Sequence, residues 1–177
     1  MSLQTRLSFI RAGMNVRRYH QQPTLEVDTV GKHSCGVALL AQMIHPMCSK
    51  NVLLVALSHD LGESVLGDIP SPAKKLLSKD ARDQLDEIEL SALRSNDFDF
   101  PLYDEDVVLL KICDMLDGLA FCCEELHRGN RSIAPIAENY MNYLGDYINS
   151  NRDRAWINRA DSLYATLVKT WSNSYVR

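Results

Sequence analysis

A chain of 177 residues, 46% hydrophobic and 24% charged, is long enough to enclose a core and too balanced for a disordered or fibrous protein. A net charge of −4 excludes general attraction to nucleic acid or an anionic membrane, so any phosphate group must be held by a local cluster of cations. No run of about 20 apolar residues appears, which excludes a bilayer-spanning helix. Met1 to Arg6 lack the apolar region and cleavage site of a secretory signal. The five cysteines are odd in number and have neither zinc-ribbon nor disulfide spacing, so reduced thiols in a cytoplasm are expected.

Residues 3–13 carry Leu3, Leu7, Phe9 and Ile10 at helical spacing and stop at Gly13. Residues 14–28, with Pro23, read as an ordered loop. Asp28-Thr29 is a good N-cap for a helix reaching Ile44, with Val30, Val37, Leu40 and Ile44 on one face. Residues 50–66 include six apolar residues in a row, which report no period. Leu57, Leu61 and Val65 continue at i+4, so one helix is expected there. Gly67, Pro70 and Pro72 break the chain. Residues 73–94 resume a helix whose acids, Glu89 among them, are expected on a solvated face. Asp104 opens a long helix with acids against the positive end of its dipole, and Gly129-Asn130 closes it. Two amphipathic helices follow, at about 132–149 and 153–172. The pattern predicts a single all-α domain over residues 1–177. Trp156 and Trp171 are expected in its core, with a subunit interface as the other place for such aromatics.

The chemistry gathers at Ser58-His59-Asp60-Leu61-Gly62-Glu63. An apolar run ending on adjacent ionisable groups implies a bound partner, because desolvating a charge is costly. A divalent cation suits the His59-Asp60 pair, and the chain offers His33 upstream and Asp114 downstream as further ligands. Two imidazoles and two carboxylates fit Zn²⁺, Co²⁺, Mn²⁺ or Mg²⁺ and leave room for water and substrate. Other roles stay open: His33 as a helix-start residue, Asp114 as a partner of Lys111, and His20, His45 or His127 as alternative ligands. Glu63 lies three residues after Asp60 on the same face, and Asp68 follows a glycine at the mouth of the site. Two carboxylates near a phosphate divide into a water-orienting base and a leaving-group acid.

With Arg18-Tyr19, His33, His59-Asp60, Glu63, Gly67-Asp68-Ile69-Pro70, Lys74 and Lys111-Ile112-Cys113-Asp114 in this order, residues 5–128 resemble the HD-domain metal-dependent phosphohydrolases. More narrowly they resemble the 5′-deoxynucleotidase branch, and the compact length and Arg18-Tyr19-His20 look most like the phage dATP triphosphohydrolases. The resemblance implies an HD-domain helical bundle with the metal between helices. It implies His33, His59, Asp60 and Asp114 as metal ligands, with Glu63 orienting water and Asp68 protonating the departing 5′-oxygen. Arg18, Lys74 and Lys111 would hold phosphate oxygens, and Tyr19 would pack on sugar and base where a 2′-hydroxyl is excluded. The chain departs from the family at Lys32, where an acid is usual, and at Tyr19, where the cellular enzymes carry tryptophan.

The expected reaction is therefore hydrolysis of dATP to deoxyadenosine and tripolyphosphate, which depletes the dATP pool in a phage context. Arg17, Lys32 and Lys75 are candidates for reaching the outer phosphates, as is Mg²⁺ at a second site. One alternative is a 5′-deoxynucleotidase acting on monophosphates. Another, of a different class, is a non-catalytic nucleotide-binding module whose metal is structural. The family further implies a homo-oligomer, dimer or hexamer, in the cytoplasm (the host's if phage-encoded), with no nucleic-acid or membrane partner.

Overall fold

The computed structural model describes residues 1–175, which form α-helices and two short 3₁₀ turns with no strand among them. In chain order the helices are α1 (Leu3–Met14), α2 (Val30–Ile44), α3 (Lys50–Ser58), α4 (Ser71–Leu76), α5 (Lys79–Ser95), α6 (Asp104–His127), α7 (Ala134–Asn149) and α8 (Ile157–Tyr175). The all-α expectation holds. Among the described residues no helix is long and apolar enough to cross a membrane.

Helix α6 is the axis of the bundle. At 24 residues it runs about 36 Å, and it packs against α2, α3, α7 and α8. Asp106 accepts a hydrogen bond from the Tyr103 amide at its start, and three acids oppose its dipole there. Leu109, Ile112, Leu116, Leu119 and Leu126 are buried against Val37, Ala41, Ile44, Leu144 and Ile148. Trp156 and Trp171 join the same core, which places these aromatics inside the subunit. One stripe of α6 carries Lys111, Asp114, Asp117 and Phe121, spaced three or four residues apart. A smaller cluster of Val30, Leu61 and Leu93, with Phe9, Ile10 and Phe98, fastens α1 and α5 to the turn after α3.

Two boundaries differ from the sequence pattern. The expected helix over 50–66 stops at Ser58, and residues Leu61–Ser64 form a 3₁₀ turn. Ser58 Oγ donates to the Leu54 carbonyl, and Asp60 leaves the helical region at φ −97°, ψ 1°. Leu57 and Val65 face solvent whereas Leu61 is buried, so the i+4 series did not mark a single apolar face. Residues 73–94 likewise divide, at Leu77-Ser78, into α4 and α5, with Ser78 capping α5 through the Ala81 amide.

The loop between α1 and α2 is ordered, as expected, and the reason lies far away in sequence. Glu125 of α6 is fully buried and accepts from the amides of Leu25 (2.7 Å) and Glu26 (2.9 Å) and from Asn130 Nδ2 (2.7 Å). Asn130 also donates to the Pro23 carbonyl at 2.7 Å. Burial alone would disfavour the Glu125 carboxylate, yet these donors, with Arg128, hold it below the usual carboxylate range. Glu125→Ala should lower stability by about 2–3 kcal/mol in denaturant melts and expose residues 19–27 to proteolysis. Because its folded pKa is depressed, this contribution is complete above the unfolded value of about 4.3 and is lost as pH falls through the folded value. An unchanged midpoint at neutral pH would contradict the anchoring role.

Candidate metal centre and nucleotide site

His33 comes from the first turn of α2, His59 from the C-cap of α3, and Asp60 from the first residue beyond it. One donor atom from each lies within 4.8 Å of the others. The tautomers follow from the remaining hydrogen bonds. His59 Nδ1 is 2.9 Å from the Ala56 carbonyl and must donate to it, which leaves Nε2 as a lone pair 3.4 Å from Asp60 Oδ1. His33 Nδ1 is 2.7 Å from Asp117 Oδ2 and donates likewise. Its Nε2 is buried without a hydrogen-bond partner and faces Asp114 Oδ1 at 3.2 Å and Asp60 Oδ2 at 3.7 Å.

Lone pairs facing carboxylate oxygens repel unless a cation stands among them. A proton is one answer: burial opposes a charged imidazole, but Asp114 and Asp117 outweigh it and push His33 up to about 9. The two imidazoles and the Asp60 carboxylate form a donor set that fits a divalent metal, with Asp114 Oδ1 beside His33 Nε2. Asp114 reaches this group through His33, while its other oxygen is held by Lys111 at 2.9 Å. Of the roles the sequence left open for Asp114, the pairing with Lys111 is present through one oxygen, and the other oxygen faces His33. Burial works against its ionisation, but His33 and Lys111 hold it well below the usual carboxylate range.

Asp117 was invisible as a site residue in the sequence, although it lies one turn after Asp114 on the same stripe. It approaches α2 at Gly36, where an added Cβ would overlap its carboxylate. Glycine there is what lets Asp117 reach His33.

The turn at Leu61–Ser64 points Glu63 into the same space, buried, with Oε2 unpartnered. A 3₁₀ turn eclipses residues three apart, so Glu63 stands above Asp60 as the spacing implied. Burial first, then the like charges of Asp60, Asp68 and Glu89, push its carboxyl up, while Arg18 acts in the opposite sense. Glu89 is a correction: instead of a solvated face it is half-buried beside this group, with Oε1 unpartnered. Asp68 sits across from His20 at 3.8 Å and is raised chiefly by burial, against the pull of Arg18 and His20.

Arg18 is largely buried, pairs with Asp28 at 3.1 Å and lies 3.9 Å from Asp117. Asp28 therefore serves Arg18, and Thr29 alone caps α2, through the Lys32 amide. The Arg18 guanidinium also lies 5.3 Å from the centre of the Tyr19 ring. Lys74 is half-buried, with its charge acting on Glu89. Lys32 turns away to donate to the Val27 carbonyl at 2.7 Å, and Arg17 and Lys75 are exposed.

A helical bundle with a histidine on one helix, a His-Asp pair ending the next and an aspartate on a third defines the HD-domain phosphohydrolase class. The chain belongs to the 5′-deoxynucleotidase YfbR-like family, whose pattern it matches over residues 7–101. It is similar to 5′-deoxynucleotidase YfbR of Salmonella arizonae, at 26% identity over 140 residues, covering 65% of this chain and 69% of that protein. In fold it is similar to the cyanophage S-2L HD phosphohydrolase DatZ, whose structure holds dA and one catalytic Zn²⁺ ion (TM-score 0.70, 19% identity, 98% of both chains). It is also similar in fold to an HD-domain phosphohydrolase of Listeria innocua (TM-score 0.73, 19% identity, 98% of this chain and 93% of that one). These two likenesses show the fold alone. The family makes this chain a hydrolase.

A carboxylate that orients a metal-ligating imidazole is generally worth 10- to 100-fold in affinity. Asp117→Ala should weaken binding of Zn²⁺ or Co²⁺ by about that factor in competition titrations. Equal affinity in the variant would contradict the role of the Asp117–His33 hydrogen bond.

Proposed function

We propose that the protein hydrolyses dATP at the α-phosphate, giving deoxyadenosine and tripolyphosphate, with His33, His59, Asp60 and Asp114 holding a divalent ion. The observation that carries a catalytic reading is Glu63: a buried carboxylate with a free oxygen, set beside the donor group. A structural metal has no use for such a residue, which argues against a non-catalytic binding module.

When bound, the ion supplies a Lewis acid for the phosphoryl oxygens and makes a water more acidic. Glu63, whose ionised form a cation beside Asp60 would favour, accepts the proton from the water that attacks the α-phosphorus. The bond from that phosphorus to the 5′-oxygen breaks, and Asp68, across the site from Glu63, gives the oxygen its proton. Arg18, Lys74 and Lys111 neutralise charge on the phosphate oxygens in an otherwise acidic protein. Tyr19 packs on the sugar and base. Such an enzyme would drain a dATP pool, as a phage with altered adenine chemistry requires.

The family match favours a second reading, release of orthophosphate from deoxynucleoside 5′-monophosphates by the same residues. Chromatography of products separates the two: tripolyphosphate from dATP is expected, and activity confined to dAMP or dGMP would overturn the triphosphate reading. In either case Glu63→Ala should lower kcat by about 10²- to 10⁴-fold while metal stoichiometry stays unchanged. Undiminished turnover would overturn the assignment of Glu63.

We also propose self-association through the apolar outer face of α2, where Leu39 and Met43 are exposed with Met47 just beyond. Light scattering should report a dimer or larger ring; a monomer at micromolar concentration would contradict it.

A further inference from the structure

We infer that Tyr140, on α7, is a positioning residue of the nucleotide site that acts through Tyr19 to enforce the preference for deoxyribose. The inference rests on the proposed deoxynucleotide site. It adds a residue from a helix that lies outside the region matching the family.

Tyr19 has a left-handed backbone, φ 54°, which is uncommon for a bulky side chain and strained by roughly 1 kcal/mol or more. Something must hold it there. Its carbonyl accepts from the Gln22 amide at 2.8 Å, which turns the loop back on itself. Its ring stacks on Phe121 of α6 with centroids 4.8 Å apart and planes 16° from parallel. Stacking fixes the plane of a phenol but leaves it free to slide along the partner ring. The hydroxyl removes that freedom, because Tyr19 Oη is 3.1 Å from Tyr140 Oη.

Tyr140 is in turn seated by Gly118, where an added Cβ would lie 2.6 Å from its hydroxyl oxygen. Gly118 lies on α6 four residues after Asp114 and three before Phe121. The Tyr140 phenol is thus beside the stripe of α6 that carries Lys111 and Asp114. A hydroxyl pair between α7 and the loop therefore ties the ring proposed to face the sugar to the helix that carries Asp114. With that bond made, the wall cannot retreat to admit a 2′-hydroxyl. Without it, the ring keeps its stacking partner but gains freedom along it.

The test is the ratio of deoxyribonucleotide to ribonucleotide, measured as equilibrium binding of dAMP against AMP and as kcat/KM on matched substrates. Wild type, Tyr19→Phe, Tyr140→Phe and the double variant are compared. Each single variant should lower the ratio about three- to tenfold, and the double should lower it no further, because all three lack the same bond. Phenylalanine preserves both rings, and equal thermal midpoints would show that folding is intact. If wild type discriminates and Tyr140→Phe leaves the ratio unchanged, the role of Tyr140 is overturned while the deoxynucleotide site stands. Additive losses in the double variant would also overturn it, since the two hydroxyls would then act separately. A wild-type protein that binds dAMP and AMP equally would overturn the underlying site and this inference with it.

Discussion

The structure depends on one buried imidazole held between opposed demands. His33 Nδ1 donates to Asp117, which turns Nε2 toward Asp60 and Asp114, where either a proton or a metal ion must stand. No arrangement of the protein's own neutral groups relieves that crowding of acceptors. A cation does, and the fold is arranged so that α2, α3 and α6 must converge for the crowding to exist at all. The conflict among these side chains and the order of the bundle are thus one feature.

Helix α6 shows how a core element can also carry chemistry. Most of its circumference is apolar and buried, which fixes its position by packing that tolerates little displacement. One stripe is given to Lys111, Asp114, Asp117 and Phe121. Because that stripe is rigid, the loop between α1 and α2 can be built onto it from two sides: Glu125 grips the amides of Leu25 and Glu26, and Phe121 receives the Tyr19 ring. Arg18 and Tyr19 belong to a loop yet inherit the stiffness of a helix. Such stiffness would suit the phosphate and sugar contacts proposed for them.

Much of the site was legible along the chain. His59-Asp60 announced itself because ionisable residues ended an apolar run, and Glu63 and Asp68 followed by spacing and by the turn signal. What escaped detection required contacts between distant segments. Asp117 reads as one more helix acid until Gly36 on α2 is seen opposite it. Glu89 sits among surface acids in the sequence and turns inward only because α5 docks on the 3₁₀ turn. Glu125 resembles a helix-surface residue, but its three hydrogen-bond donors lie 100 and 99 residues back and five residues on. The helix expected through residue 66 fails for a related reason. An apolar run has no period, so it does not mark where the backbone leaves the helix at Asp60, beside Gly62 packed on the Glu89 backbone.

The most direct test is to count ions. Protein titrated with Zn²⁺ or Co²⁺ after chelation should take up one tightly held divalent ion per chain. His33→Ala should abolish that uptake together with phosphohydrolase activity, with the helical circular-dichroism spectrum retained. A chain that binds no ion, or one in which His33→Ala leaves binding and turnover intact, would contradict the proposed centre.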